Sequence, residues 1–135
     1  MFWFPGLSNS KGQHWVAWIM LSPNHCEFFD SYGDSYEDYR HLMPPAITIV
    51  RENCVQLQSE ISHVCGEYCV MFVTERSRGI SYEDFLDAFK FDTAYNDWLV
   101  TTFVNNKARF HPYKNYDGYS DRVMGCGRKC DFINN

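Results

Sequence analysis

A chain of 135 residues, 45% hydrophobic and 18% aromatic, can bury a core in one domain without disulfide staples, and its composition excludes a disordered chain. Its net charge of −5 argues against a mainly electrostatic nucleic-acid binder, which needs a lysine and arginine excess to neutralise phosphates. No apolar run approaches the roughly 20 residues of a membrane span, and the aromatic start Met1-Phe2-Trp3-Phe4-Pro5 has neither the basic flank nor the small-residue cleavage site of a signal peptide.

An intracellular location, in cytoplasm or nucleus, follows as an expectation. There Cys26, Cys54, Cys65, Cys69, Cys126 and Cys130 are expected as thiols and not as a disulfide frame.

In chain order, the polar loop Ser8 to Gln13 leads into Trp15-Val16-Ala17-Trp18-Ile19-Met20-Leu21. This run is rich in aromatic and branched residues and reads as a buried strand ending at the turn Ser22-Pro23-Asn24. Cys26 to Tyr32 reads as a second strand, and the short connection makes the two an antiparallel hairpin. His14 then opens one strand and Asp30 lies near the end of its neighbour, so antiparallel pairing brings them to the same side of the sheet. Alternation puts Glu27, three residues from Asp30, on the opposite face.

A short helix through Tyr39, Leu42 and Met43 is expected to stop at Pro44-Pro45. Ile47 to Val50 and Cys54 to Leu57 read as two further strands, and Gln58 to Val64 as a loop. A helix is expected from Cys65 to about Arg76, closed by Gly79. Another starts at Ser81-Tyr82-Glu83-Asp84, and a third covers about Thr93 to Asn105. From His111 on, glycine, aspartate and tyrosine dominate and periodicity is lost. The expected organisation is therefore one domain over 1–135, with 106–135 a poorly structured tail.

The stretch Ile61 to Val73 carries the chemistry. Cys65 stands before Gly66 at a helix start, where free backbone N–H groups and a partial positive charge favour a thiolate. A neighbouring imidazole can take the proton. Gly66 has no side chain to block a carbonyl approaching the backbone. His14 is the candidate base because Asp30 can fix its tautomer. His63 is the competing base and Glu27 the competing carboxylate. Gln58, seven residues before Cys65, has an amide that can donate to an oxyanion beside the Cys65 N–H, with Gln56 as its competitor. Cys69, one turn below Cys65, reads as core. Cys126 and Cys130 lack the further ligands and closer spacing of a zinc site, so neither a metal nor a cofactor is expected.

These residues, in the order His, Asp, Gln, Cys, resemble the adenain-like and SUMO-protease-like cysteine peptidases. The matching pieces are Gly12-Gln13-His14-Trp15, Phe28-Phe29-Asp30-Ser31-Tyr32-Gly33, Gln58, and Cys65-Gly66 with Cys69 and Met71-Phe72. They span about residues 4 to 75. The resemblance implies an α+β, papain-like or adenain-like fold: a central, mostly antiparallel sheet flanked by helices, with the nucleophile at a helix N-terminus.

It further implies a cysteine endopeptidase with a Cys65–His14–Asp30 triad, Gln58 as oxyanion donor, and Trp15 packed beside the imidazole. The implied partner is a protein or polyprotein, above all a viral or transposon structural precursor in the host cell or virion, with an activating peptide or DNA as adenain-like enzymes use. Deconjugation of SUMO or another ubiquitin-like protein is the alternative. The family carries a longer segment before its histidine than the thirteen residues present here, so an inactive relative acting as a binding module is a further alternative.

Overall fold

In the computed structural model, residues 14–106 are described in full, and 2–5 and 127–129 as strand backbone. The fold is α+β. Five strands, β1 (Phe2–Pro5), β2 (Trp15–Ser22), β3 (His25–Phe29), β4 (Thr48–Asn53) and β5 (Gly127–Lys129), form one sheet in sequence order. Three helices follow β4 in the chain: α1 (Cys65–Ser77), α2 (Tyr82–Asp87) and α3 (Thr93–Asn105). No helix among the described residues is long and apolar enough to cross a membrane.

The hairpin expectation holds, with β2 and β3 antiparallel and Ala17 opposite Phe29. The β3–β4 pair is parallel, and the other pairings are antiparallel. Parallel neighbours need a long crossover. Here it contains a 3₁₀ helix, Tyr36–Leu42, whose N-terminus is capped by the Ser35 hydroxyl accepting from the Glu37 N–H.

Strand alternation splits the core in two. Ala17 and Phe29 face the helices, where they join Phe72, Phe85, Phe89 and Phe103. Val16, Trp18, Cys26 and Phe28 face the other way and are covered by Met43, Ile47 and Ile49. The aromatic density has a geometric expression on the helix side. Phe72 stacks on Phe29 with centroids 4.8 Å apart and meets Phe85 and Tyr82 edge-on. Helix α1 thereby lies across β2 and beside α3, which fixes its N-terminus at the end of the β2–β3 hairpin.

The helix boundaries follow local chemistry. Ser81 caps α2 by accepting from the Asp84 N–H, and Asp92 caps α3 by accepting from Ala94 and Tyr95. After α1 the chain turns at Gly79, whose φ of +91° suits a residue without a Cβ.

Three expectations need correction. Ile47 to Val50 and Cys54 to Leu57 are not two strands: β4 runs Thr48–Asn53 and the chain then leaves the sheet. Leu57 is buried within a loop, where its N–H donates to the Ser31 carbonyl at 2.8 Å and its own carbonyl accepts from Tyr68 and Asn96. Within the expected tail, Gly127–Lys129 is a strand against β4; the rest of 107–135 lies outside the described residues. Finally, Cys54 is disulfide-bonded, whereas Cys26, Cys65 and Cys69 are free thiols.

Candidate active site

Three of the expected residues meet where the hairpin ends touch the start of α1. His14, the residue before β2, places Nε2 2.7 Å from Asp30 Oδ1. The imidazole also interacts with the Cys65 thiol, each raising the tendency of the other to be charged. The Trp15 backbone N–H donates to Cys65 Sγ at 3.4 Å, and the Gly66 N–H donates to the same sulfur. Cys65 is the first residue of α1, so its sulfur takes the helix N-terminal field as well. The Trp15 ring packs against the helix-side core. An added Cβ on Gly66 would meet nothing within 4 Å, so the backbone beside the sulfur is open.

The electrostatics follow from this geometry. Burial opposes ionisation of Cys65, but the His14 hydrogen bond, the Trp15 N–H and the imidazolium charge outweigh it and hold the thiol below its ordinary value. Burial likewise pulls His14 down, yet the hydrogen bonds to Asp30 and Cys65 raise it to about 9. Each partner therefore favours the charged form of the other, thiolate beside imidazolium. The other free thiols differ: burial pushes Cys26 up to about 12 and Cys69 well above its usual range.

Asp30 is wholly buried and surrounded by donors. Besides His14, its Oδ1 accepts from the Tyr32 N–H at 2.8 Å, and its Oδ2 accepts from the Tyr39 hydroxyl at 3.4 Å. Its backbone is gripped by Asn53 at the end of β4. The Asn53 Oδ1 accepts from the Asp30 N–H at 3.1 Å, and Nδ2 donates to the Asp30 carbonyl at 2.6 Å. The Gly33 N–H closes the turn on that same carbonyl at 2.9 Å. Gly33 has a φ of +77°, and a Cβ there would lie 2.7 Å from the Val55 carbonyl carbon. Only glycine fits on both counts.

Glu27, the competing carboxylate, is on the helix face. It accepts two hydrogen bonds from Arg76 of α1, at 2.8 and 3.0 Å. His63, the competing base, is exposed.

Gln58 is also wholly buried. Its Oε1 accepts from the Ser31 hydroxyl at 2.6 Å, and its Nε2 donates to the Ser62 carbonyl at 3.2 Å and hydroxyl at 3.1 Å. Gln56, its competitor, donates from Nε2 to the Gln58 carbonyl. The segment is further tied to α3: the Tyr68 hydroxyl and Asn96 Nδ2 both donate to the Leu57 carbonyl, and Asp97 accepts from Tyr68 and from the Ser59 N–H.

Sequence reasoning missed four residues of this arrangement: Ser31, Tyr32, Asn53 and Asn96. The Tyr32 ring lies against His14, with centroids 4.8 Å apart and planes tilted by 32°. The only signal for Asn53 was a polar amide closing an apolar strand. Among the described residues no group of three or more His, Cys, Asp or Glu side chains could hold a metal ion; Cys126 and Cys130 lie outside them.

No protein-family model, curated protein or solved structure matches the chain.

Proposed function

We propose that the chain is a cysteine endopeptidase of the adenain-like, papain-like kind, acting through Cys65, His14 and Asp30. The observation that carries this reading is geometric: His14 is bonded at 2.7 Å to the wholly buried Asp30, and the Trp15 N–H next to it donates to the sulfur of Cys65 at the start of α1; this setting holds the thiol below its ordinary value. A purely structural cysteine would share the environment of Cys69, where burial first, and then the charges of Cys65, Asp30 and Glu67, all push the thiol up.

The Cys65 thiolate attacks the substrate carbonyl, forming the C–S bond and placing the negative charge on oxygen. The Cys65 N–H and the Gln58 amide stabilise that oxyanion, which competes with Ser62 for the amide hydrogens. The charge collapses, the C–N bond breaks, and the His14 imidazolium gives its proton to the departing amine. The imidazole, now neutral, takes a proton from water, hydroxide equivalent adds to the thioester, and release of the acid restores the thiolate–imidazolium pair. Asp30 keeps Nε2 as the bound end of the ring throughout.

The substrate we assign is a structural precursor protein of a virus or transposon. The support is the resemblance at Cys65-Gly66, Cys69 and Met71-Phe72, and the open backbone at Gly66 suits a chain with small residues near the cut.

Iodoacetamide at about pH 6 tests the nucleophile. Cys65 should be alkylated well before Cys26 and Cys69, and His14→Ala should remove that preference. Equal labelling of all the thiols sinks the peptidase reading. Incubation with a precursor protein and, separately, with a SUMO conjugate then separates maturation from deconjugation.

A further inference from the structure

Ser31 has no role in the triad, yet it makes more contacts to the oxyanion donor than any triad member does. Its carbonyl accepts from the Leu57 N–H at 2.8 Å and from the Gln58 N–H at 3.1 Å. Its hydroxyl donates to Gln58 Oε1 at 2.6 Å. Both side chains are completely buried, so no water substitutes for either partner. An amide group rotates about one bond, and fixing the oxygen end fixes where the two N–H bonds point. Ser31 also directly follows Asp30, whose backbone Asn53 holds from both sides. One pair of adjacent residues thus carries the carboxylate of the base and the anchor of the oxyanion donor.

We infer that Ser31 is a positioning residue for transition-state stabilisation: its hydroxyl holds the Gln58 amide in register with the oxyanion while Asp30 beside it holds the imidazole. This rests on the peptidase reading above and adds a residue to it. The two halves of the site are separable by chemistry. Alkylation of a thiolate by iodoacetamide is a displacement at carbon that displaces iodide and forms no oxyanion, so it reads only the Cys65–His14 pair. Acylation by p-nitrophenyl acetate passes through a tetrahedral oxyanion; sulfur bonds to the acetyl carbon and p-nitrophenolate leaves, so it reads the donor as well.

The experiment measures both rates against pH for the wild-type chain, Ser31→Ala, Gln58→Ala and the double variant. In Ser31→Ala, acylation should fall on the order of ten- to a hundred-fold, since a misaligned donor loses most of its effect. The alkylation rate and its pH profile should stay as in the wild type, which also reports that the variant is folded. Adding Ser31→Ala to Gln58→Ala should cost little more, because the two act as one unit. Equal falls in alkylation and acylation would make Ser31 a support of the whole site and overturn the inference, as would unchanged acylation or full additivity. If wild-type Cys65 is alkylated selectively but never acylated, the peptidase reading itself fails, and Ser31 with it.

Discussion

His14 and Asp30 stand sixteen positions apart in the chain and 2.7 Å apart in the fold. The hairpin brings this about: its two strands start and finish at the same end of the sheet, and His14 and Asp30 each sit one step outside their strands. Of the influences that raise the imidazole to about 9, the Asp30 hydrogen bond is the largest. Asp30→Asn should therefore move the alkaline limb of the activity profile from about 9 toward, or below, the ordinary 6.5, because burial continues to pull the ring down. The proton needed by the leaving group is then lost at lower pH, and turnover at pH 8 should drop roughly 10²-fold. NMR titration of the His14 ring checks the shift directly.

Glu27 offers the opposite control. Its carboxylate is 6% exposed and its partner Arg76 18% exposed, so the pair is desolvated. Arg76→Met leaves an unpartnered buried charge and should lower stability by about 3 kcal/mol, whereas Glu27→Gln combined with Arg76→Met should recover much of the loss. Urea unfolding measures this. The pH profile of Cys65 alkylation in the folded protein should not move in either variant, since Glu27 faces away from the imidazole.

Gly33→Ala combines a strained φ with a backbone clash at Val55. A loss on the order of 3 kcal/mol is expected, read as a fall in melting temperature. Selective alkylation of Cys65 should fall with it, because Gly33 closes the turn that carries Asp30.

Tyr32 is expected to act on the imidazolium through its ring. Tyr32→Phe keeps the aromatic face and should leave alkylation at pH 6 unchanged. Tyr32→Leu should slow it about two- to fivefold, the size of a modest cation–π contact.

The sequence made the hairpin legible because β2 combines branched and aromatic residues with a Pro-Asn turn. It made the start of α1 legible because a thiol and a glycine precede an apolar periodic run. From these two elements the meeting of His14, Asp30 and Cys65 could be anticipated. Other parts lack a local signal. The strands Phe2–Pro5 and Gly127–Lys129 are short and gain their pairing from partners far along the chain. Cys54 to Leu57 is apolar enough to look like a strand, but Leu57 is buried by a loop anchor and not by a ladder. Ser31, Asn53 and Asn96 are ordinary polar residues until tertiary structure buries them against backbone groups. The disulfide at Cys54 was hidden by the inference from compartment, which treats all cysteines alike.

Asn53 ties Asp30 to the sheet. Its side-chain amide both accepts from the Asp30 N–H and donates to the Asp30 carbonyl, so it imitates a backbone peptide and extends the β3–β4 ladder by one rung. In hydrogen–deuterium exchange the Asp30 amide, though outside the strand, should open only with the sheet, on the slow timescale of β3 and not that of the loop beyond it. Asn53→Leu removes both the acceptor for that amide and the donor to the carbonyl, and should let the amide exchange as a loop amide. The carboxylate bonded to His14 would then belong to the mobile part of the molecule.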